Sequence, residues 1–196
     1  MGLLDSLLGR TKPPQANLDD LFAVPQAVLS LATAGITATG SGAVCFRDVD
    51  GTSDDAVIKE AELVIGTDTT ATVDLVDDAH GFRWLTVSRP TSAGGGDATA
   101  LVADLHAVNS SLMDAGFGAS LLCSTINLTT GDGGPAALVY LFKQGTFYPF
   151  VPVAGRRRDN AVELQVKTVV EGDLPVEKAL ERWLAVWDAP GLSVGS

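Results

Sequence analysis

The chain has few cysteines and histidines, the residues from which zinc sites and many nucleophilic sites are built. Its 196 residues include two cysteines, Cys45 and Cys123, and two histidines, His80 and His106. Two cysteines do not make a disulfide framework, and both lie in apolar, strand-like runs. We therefore expect buried free thiols in a reducing cytosol. None of these residues has the spacing of a zinc site, so we expect no metal and no cofactor.

Long apolar runs and a cationic surface are also missing. No run reaches the roughly 18 apolar residues that a membrane-spanning helix needs, and the N-terminus lacks the pattern of a signal peptide. The formal net charge is -11, Asp outnumbers Glu about threefold, and Lys is scarce. A field of that sign repels phosphate backbones, so we expect no nucleic-acid partner. The composition indicates a soluble, cytoplasmic protein, and its acidic, Lys-poor surface suggests the hypothesis of a halophilic source.

Motifs of catalysis and ligand binding are incomplete. No Ser or Cys lies in a Gly-x-Ser-x-Gly turn. Gly94-Gly95-Gly96 precedes a predicted helix, but the next residue is Asp97, which would occupy the helix amides and repel a phosphate. Asp48-Val49-Asp50-Gly51 has its glycine too early for a calcium loop and no Glu at the twelfth position. We therefore predict that the protein is not an enzyme.

The chain does contain enough apolar residues for a core, 46% of the total, and its periodicity predicts where the elements lie. Helices are predicted from 18 to a break at Pro25, then at 26–33, 56–65, 97–115 and 173–187. Strands are predicted at 36–49, 72–76, 82–87, 120–128, 136–142, 146–153 and 161–170. The last helix is expected to turn five apolar residues inward: Val176, Leu180, Trp183, Leu184 and Trp187.

Hairpins dominate over long crossovers in this order of elements. The pattern predicts an α+β fold, a single domain with an antiparallel sheet and helices packed on it. We expect a short apolar segment and Pro-rich linker at 1–14, the domain at 15–190 and a loose tail at 191–196. Four aromatic residues surround one predicted hairpin, and we expect most of them in the core: Phe142, Phe147, Tyr148 and Phe150.

Four leucines near the N-terminus form the first candidate for partner binding. Leu3, Leu4, Leu7 and Leu8 fall on one face of a helix that ends before Pro13. A helix of this length is not stable alone in water, and it therefore needs a surface on which to dock. Its positive flanking charge suits an anionic membrane surface or the groove of a partner, and packing on its own domain is the alternative.

Three consecutive arginines form the second candidate. Arg156, Arg157 and Arg158 stand out in an acidic chain, in a predicted polar loop. Guanidinium groups bind carboxylates and phosphates in a bidentate manner, so the loop is a candidate for gripping an acidic patch or an anionic headgroup. The alternative is a solvated loop balanced by Asp159 and Glu163.

Several longer phrases resemble one family. They include LDDLFAVP at 18–25, GFGASLLC at 116–123, ALVYLFKQGTFYPF at 137–150 and RRDNAVELQV at 157–166. With these phrases, nearly the whole chain resembles the PspA-associated protein PspAB family. The resemblance implies association with PspA, the membrane-binding coiled-coil protein of the phage-shock response. It also implies that a membrane metalloprotease of the HtpX type accompanies the protein. The family has no established catalytic residues that could be assigned to positions of this sequence.

The resemblance thus implies a non-enzymatic accessory protein of the envelope-stress response that binds a PspA-like partner. It would be cytoplasmic, with peripheral contact at the inner face of the membrane as an option. Two alternatives stay open. One is an adaptor for an HtpX-type membrane protease. The other is a small-ligand-binding or enzymatic α+β domain, whose mark would be a deep pocket lined by convergent polar groups, near Cys45 or Cys123.

Overall fold

A six-stranded antiparallel sheet is the centre of the structure. The structure, a computed structural model, describes residues 17–47, 54–66, 70–90 and 98–194, with side chains in the second range from residue 57 onward. The strand order is β2-β3-β1-β4-β5-β6. These strands are β1 (Thr37–Arg47), β2 (Thr72–Asp77), β3 (Phe82–Ser88), β4 (Leu121–Thr129), β5 (Pro135–Leu141) and β6 (Thr146–Phe150). Two further short strands, β7 (Pro152–Val153) and β8 (Arg157–Arg158), form a separate ribbon.

Four α-helices of the described part accompany the sheet. They are α1 (Val24–Ala32), α2 (Asp54–Ile65), α3 (Ala98–Asp114) and α4 (Asn160–Val170). Three short 3-10 helices lie at Leu18–Ala23, Phe117–Ala119 and Leu180–Arg182. The predicted α+β class and the antiparallel sheet are confirmed. The predicted hairpin strands β2 and β3 and the long helix α3 lie within a residue or two of their expected bounds.

Alternation along the strands creates two apolar faces. In β1, Val44 and Phe46 belong to the larger core, whereas Ala43 and Cys45 belong to a second cluster. Neighbouring side chains in a strand point to opposite faces, which explains this split. The larger core lies under the helices, so we call that side of the sheet the helix-covered face. The four aromatic residues around the predicted hairpin are buried, which confirms that expectation, and Phe147 joins the larger core whereas Tyr148 joins the second cluster.

The other side of the sheet, the C-terminal face, is covered by irregular chain. The C-terminal segment, residues 174–192, places Trp183, Ala189 and Leu192 in the second cluster. Tyr148 stacks on Trp183 with ring centroids 6.1 Å apart. Strands β1, β4, β5 and β6 are therefore largely buried on both faces, although helices cover only one face, whereas the edge strand β2 is mostly exposed.

The prediction of a strand at 161–170 was wrong. Residues 160–170 form α4, and its first turn is capped by Asp159, whose carboxylate accepts hydrogen bonds from the amides of Ala161 and Val162 at 3.1 and 3.0 Å. Val166 and Val170 are four residues apart and both enter the helix-covered core. The valines of this segment are typical of a strand. The segment is nevertheless helical, because Asp159 caps its first turn and its buried residues have helical spacing.

The prediction of a helix at 173–187 was also wrong, because the backbone there bonds to the sheet edge instead. The amide of Phe147 donates to the carbonyl of Pro175 at 2.9 Å, and the amide of Glu177 donates to the carbonyl of Phe147 at 2.8 Å. Trp183 is buried as expected, but Leu180 and Leu184 are each 61% exposed. A helical period fitted the apolar residues, yet only one 3-10 turn forms.

Candidate functional site

A pocket opens on the C-terminal face, between the sheet and the C-terminal segment. Its volume is about 320 Å³, which is near the lower end of the range of small-molecule sites, about 300 Å³. Most of its wall is apolar. We call it the thiol pocket, and its main lining residues are Cys45, Cys123, Trp84, Tyr148, Leu141 and Trp187. The place of the pocket, at the two cysteines, is the one expected for a ligand-binding domain, but its mostly apolar wall differs from the convergent polar groups that were expected with it.

The two cysteines lie together on the wall of this pocket. Cys45 of β1 and Cys123 of β4 are directly opposite each other in the antiparallel register. Both are buried free thiols, as predicted. The pKa of the Cys45 thiol is raised by its interaction with the side chain of Cys123 and further by burial and the charge of Asp78. Cys45 is therefore a neutral thiol at physiological pH.

An aspartate organises one rim of the pocket. The carboxylate of Asp78 accepts hydrogen bonds from the indole of Trp84 at 3.0 Å and from the amides of His80 and Phe82 at 2.8 and 2.9 Å. Burial acts to raise the pKa of Asp78, but these hydrogen bonds outweigh it, so its pKa lies below its usual value. The carboxylate is held ionised by the turn that it closes.

A second aspartate joins the pocket to the arginine loop. Asp188 Oδ2 lies 3.2 Å from His80 Nε2 and accepts from Arg156 Nη2, also at 3.2 Å. The third polar group, the Tyr148 hydroxyl, donates to the carbonyl of Leu184 at 2.8 Å. The polar groups named here thus already have partners within the chain. What the pocket offers to a guest is apolar surface, aromatic rings, two thiols and the guanidinium of Arg47, which lies over the ring of Phe82 at 5.3 Å from its centroid.

The three arginines of the candidate loop occupy different surroundings. Arg156 is exposed and bonds to Asp188, and Arg157 is exposed and donates to the carbonyl of Ala154 at 3.2 Å. Arg158 instead points into the protein, where its side chain is 18% exposed. Of the three, Arg156 and Arg157 therefore form the accessible part of the predicted site.

Arg158 acts as an internal connection. Its guanidinium donates to Glu163 Oε1 at 2.8 Å, to the carbonyl of Pro149 at 3.2 Å and to the carbonyl of Trp183. It also lies over the ring of Phe150, 5.1 Å from its centroid. One side chain thus joins β6, α4 and the C-terminal segment.

Three further sequence predictions concern the N-terminal leucines, metal ligands and membrane-spanning helices. Leu3, Leu4, Leu7 and Leu8 lie outside the described residues. Within the described ranges, no three His, Cys, Asp or Glu side chains are grouped as metal ligands would be. No helix in those ranges is long and apolar enough to cross a membrane.

Sequence reasoning missed several residues of the pocket, among them Asp78, Trp84 and Asp188. Their contacts depend on which strands pair and on the path of the C-terminal segment. One signal was present, because β1 and β4 each carry one of the two cysteines at its apolar centre. Pairing those strands would have brought the thiols together.

The geometry defines a class: an α+β domain with an antiparallel sheet, helices on one face and a thiol-lined apolar pocket on the other. The model of one family, PspAB, described as PspA associated protein B, matches residues 1–191. The chain belongs to this family, and its phrase-level resemblance to it is confirmed. No curated protein and no solved structure matches the chain.

Proposed function

We propose that the protein is a non-enzymatic accessory factor of the envelope-stress response that acts by binding a PspA-like partner. The observation that carries the proposal is the family match, which spans residues 1–191 and names an association with PspA. Such a role requires binding surfaces and no catalytic centre. The sites described above offer apolar and charged surface and no recognisable set of catalytic groups.

Charge supports the proposal. A body with a formal net charge of -11 complements basic helical surfaces, and complementary charge speeds encounter and excludes wrong partners. The exposed guanidinium groups of Arg156 and Arg157 interrupt this acidic field at one place. They suit a single acidic patch on the same partner.

Apolar surface beside the thiol pocket supports it as well. Leu122, Leu141 and Leu184 line both the thiol pocket and an adjoining cavity of about 260 Å³. Leu184 is 61% exposed although it lies against these cavities. An exposed apolar residue beside an apolar depression is a typical contact point for a partner side chain.

A direct binding assay tests this surface. The full-length chain is titrated against a purified PspA-like protein from the same organism by isothermal titration calorimetry. We expect Leu184→Ser to weaken binding tenfold or more, which is about 1.4 kcal/mol. The matched control is Leu164→Ser, because Leu164 is also exposed, at 53%, but lies on α4. Equal affinities for the two variants would remove Leu184 from the interface, and no binding by the unchanged chain would refute the proposal.

A second version of the proposal is contact with a membrane protease or with lipid. It rests on the helical spacing, in the sequence, of four leucines: Leu3, Leu4, Leu7 and Leu8. Recovery of an HtpX-type protease in place of a PspA-like protein would favour the adaptor role. Sedimentation with anionic vesicles that is lost when residues 1–10 are removed would support peripheral membrane contact.

The thiol pocket favours a second candidate function, the binding of a small, uncharged, apolar ligand. Asp78, Asp188 and Tyr148 at its rim have partners within the chain, and its wall is mostly apolar, so burial of hydrophobic area would drive binding. The neutral dye N-phenyl-1-naphthylamine is a suitable probe, because its fluorescence rises in apolar sites. We expect Ala185→Trp, at the exposed rim, to reduce this signal, and Ala161→Trp on α4 to leave it unchanged.

A further inference from the structure

We propose that Cys45 and Cys123 are a modification site at which one reversible intramolecular disulfide forms. The proposal goes beyond partner binding, and it does not depend on any partner. It assigns a chemical event to the two thiols that the thiol pocket brings together.

The strand register places the backbones of the two residues at a separation that a disulfide can span. Cys45 and Cys123 are direct partners across β1 and β4. Direct partners in antiparallel strands have Cα atoms about 4.5 to 5.5 Å apart, inside the range of about 4.4 to 6.8 Å that disulfides need. Both side chains belong to the cluster on the C-terminal face, so they point to the same side of the sheet.

A bulge lies directly beside the pair. The register shifts between Cys45 and Phe46, because Phe46 pairs with Leu121 and skips a residue of β4. Bulges bend a strand locally and loosen the ladder. The backbone at this position therefore has room for the small shift that closing a sulfur–sulfur bond requires.

The pocket supplies access and a suitable medium. Both thiols line a cavity whose wall also includes exposed residues of the C-terminal segment, such as Ala185, which offers a small neutral oxidant a route that does not require unfolding of the sheet. A thiol pair and a disulfide are both uncharged, so the conversion leaves no charge buried in an apolar wall. The elevated pKa of Cys45 keeps the thiolate of that residue scarce, so oxidation that begins at Cys45 is slow.

With hydrogen peroxide as the oxidant the step balances. One thiol loses its proton, and the resulting sulfur attacks a peroxide oxygen and breaks the O–O bond, which gives a sulfenic acid and, with the proton, one water. The second sulfur then attacks the sulfenic sulfur and displaces the hydroxyl group, which leaves as a second water with the remaining thiol proton. Two thiols are oxidised to one disulfide and one peroxide is reduced to two waters. A dithiol reductant reverses the change.

The test uses the full-length chain, which has no other cysteine. The reduced, folded protein is treated with hydrogen peroxide at low protein concentration and then analysed by intact and peptide mass spectrometry. We expect a monomer that has lost two hydrogen atoms, with the peptides of Cys45 and Cys123 linked and released by dithiothreitol. We also expect a higher melting temperature for the oxidised form, since the bond closes a long loop between two paired strands.

Two variants distinguish oxidation through the thiol pocket of the folded protein from oxidation of unfolded chains. Ala185→Trp narrows the rim and should slow disulfide formation severalfold, whereas Ala161→Trp should leave the rate unchanged. Slower formation in both variants, or in neither, would contradict the route through the pocket. Thiols that stay reduced in the folded protein, disulfides between separate chains only, or a lower melting temperature after oxidation would each overturn the proposal. Failure to bind a PspA-like protein would leave these results unaffected.

Discussion

The guanidinium of Arg158 donates to the carboxylate of Glu163 at 2.8 Å, and the Glu163 side chain is 3% exposed. The same carboxylate oxygen accepts the amide of Val151 at 2.9 Å. Arg158 also donates to two backbone carbonyls, those of Pro149 and Trp183. Arg158 and Glu163 together therefore connect the edge strand β6, α4 and the C-terminal segment, which forms one wall of the thiol pocket.

Removing Arg158 should cost much more stability than removing its neighbour. We expect Arg158→Ala to lower the free energy of unfolding by about 3 kcal/mol, because it leaves the buried carboxylate of Glu163 without its cationic partner. Arg157→Ala should change it by less than about 0.5 kcal/mol, since that side chain is exposed. Urea denaturation followed by tryptophan fluorescence measures both. Similar losses in the two variants would mean that Arg158 does not hold these elements together.

Gly42 should not tolerate a side chain. It lies in β1 where the register with β4 shifts after Ala38, and a Cβ there would collide with the carbonyl oxygen of Thr125. We expect Gly42→Ala to destabilise the fold by about 2 kcal/mol, as overpacking does. Gly172→Ala is the control, because a Cβ at that position meets nothing within 4 Å. Thermal unfolding of the two variants makes the comparison, and a neutral Gly42→Ala would contradict the close approach of β1 and β4.

Asp78 should make stability depend on pH in acid. Its pKa in the folded protein lies below the usual value, so it contributes stability above about pH 4, the unfolded pKa. That contribution is lost as the pH falls through the lower pKa of the folded state. We expect Asp78→Asn to be less stable than the unchanged chain at pH 7, with a difference that shrinks in acid. The exposed Asp114→Asn is the control, and a difference for Asp78→Asn that stays constant down to pH 2 would contradict this role.

The C-terminal segment offers a test of side-chain direction. A helix at 173–187 would have turned both Trp183 and Leu184 inward, whereas the structure buries Trp183 and leaves Leu184 61% exposed. We expect Trp183→Ala to cost about 3 kcal/mol or more. Leu184→Ala should stay within about 0.5 kcal/mol. Equal costs, measured by urea denaturation, would favour the helical arrangement.

Much of the fold could be predicted from the sequence because its local signals agree with each other. The alternating hairpin strands and the long amphipathic α3 are examples, and Gly116 ends that helix in the left-handed conformation. The errors fall where local pattern and tertiary contacts disagree. The valines of α4 suggested a strand until the cap by Asp159 is considered. Residues 175–177 fit a helical pattern in the sequence, but in the structure their backbone forms hydrogen bonds with Phe147 at the sheet edge.

The candidate site was less predictable than the fold. A pocket near the cysteines was anticipated as one alternative, but its aspartates and aromatic residues were not. Their positions follow from the register of β1 with β3 and β4, which a single sequence does not contain. Arg158 was indistinguishable from Arg156 by type. Their roles differ through tertiary contacts, since Arg158 meets the buried Glu163 and two backbone carbonyls whereas Arg156 meets Asp188 at the surface.

The central claim is that this PspAB family member binds a PspA-like protein, and co-purification from native cells tests it most directly. Tagged full-length chain and a variant lacking residues 1–10 are recovered with and without envelope stress, and bound proteins are identified by mass spectrometry. The account predicts a PspA-like protein with the full chain, and its reduction in the shortened variant if Leu3, Leu4, Leu7 and Leu8 take part in docking. Absence of any PspA-like protein from the full-length sample under both conditions would contradict it.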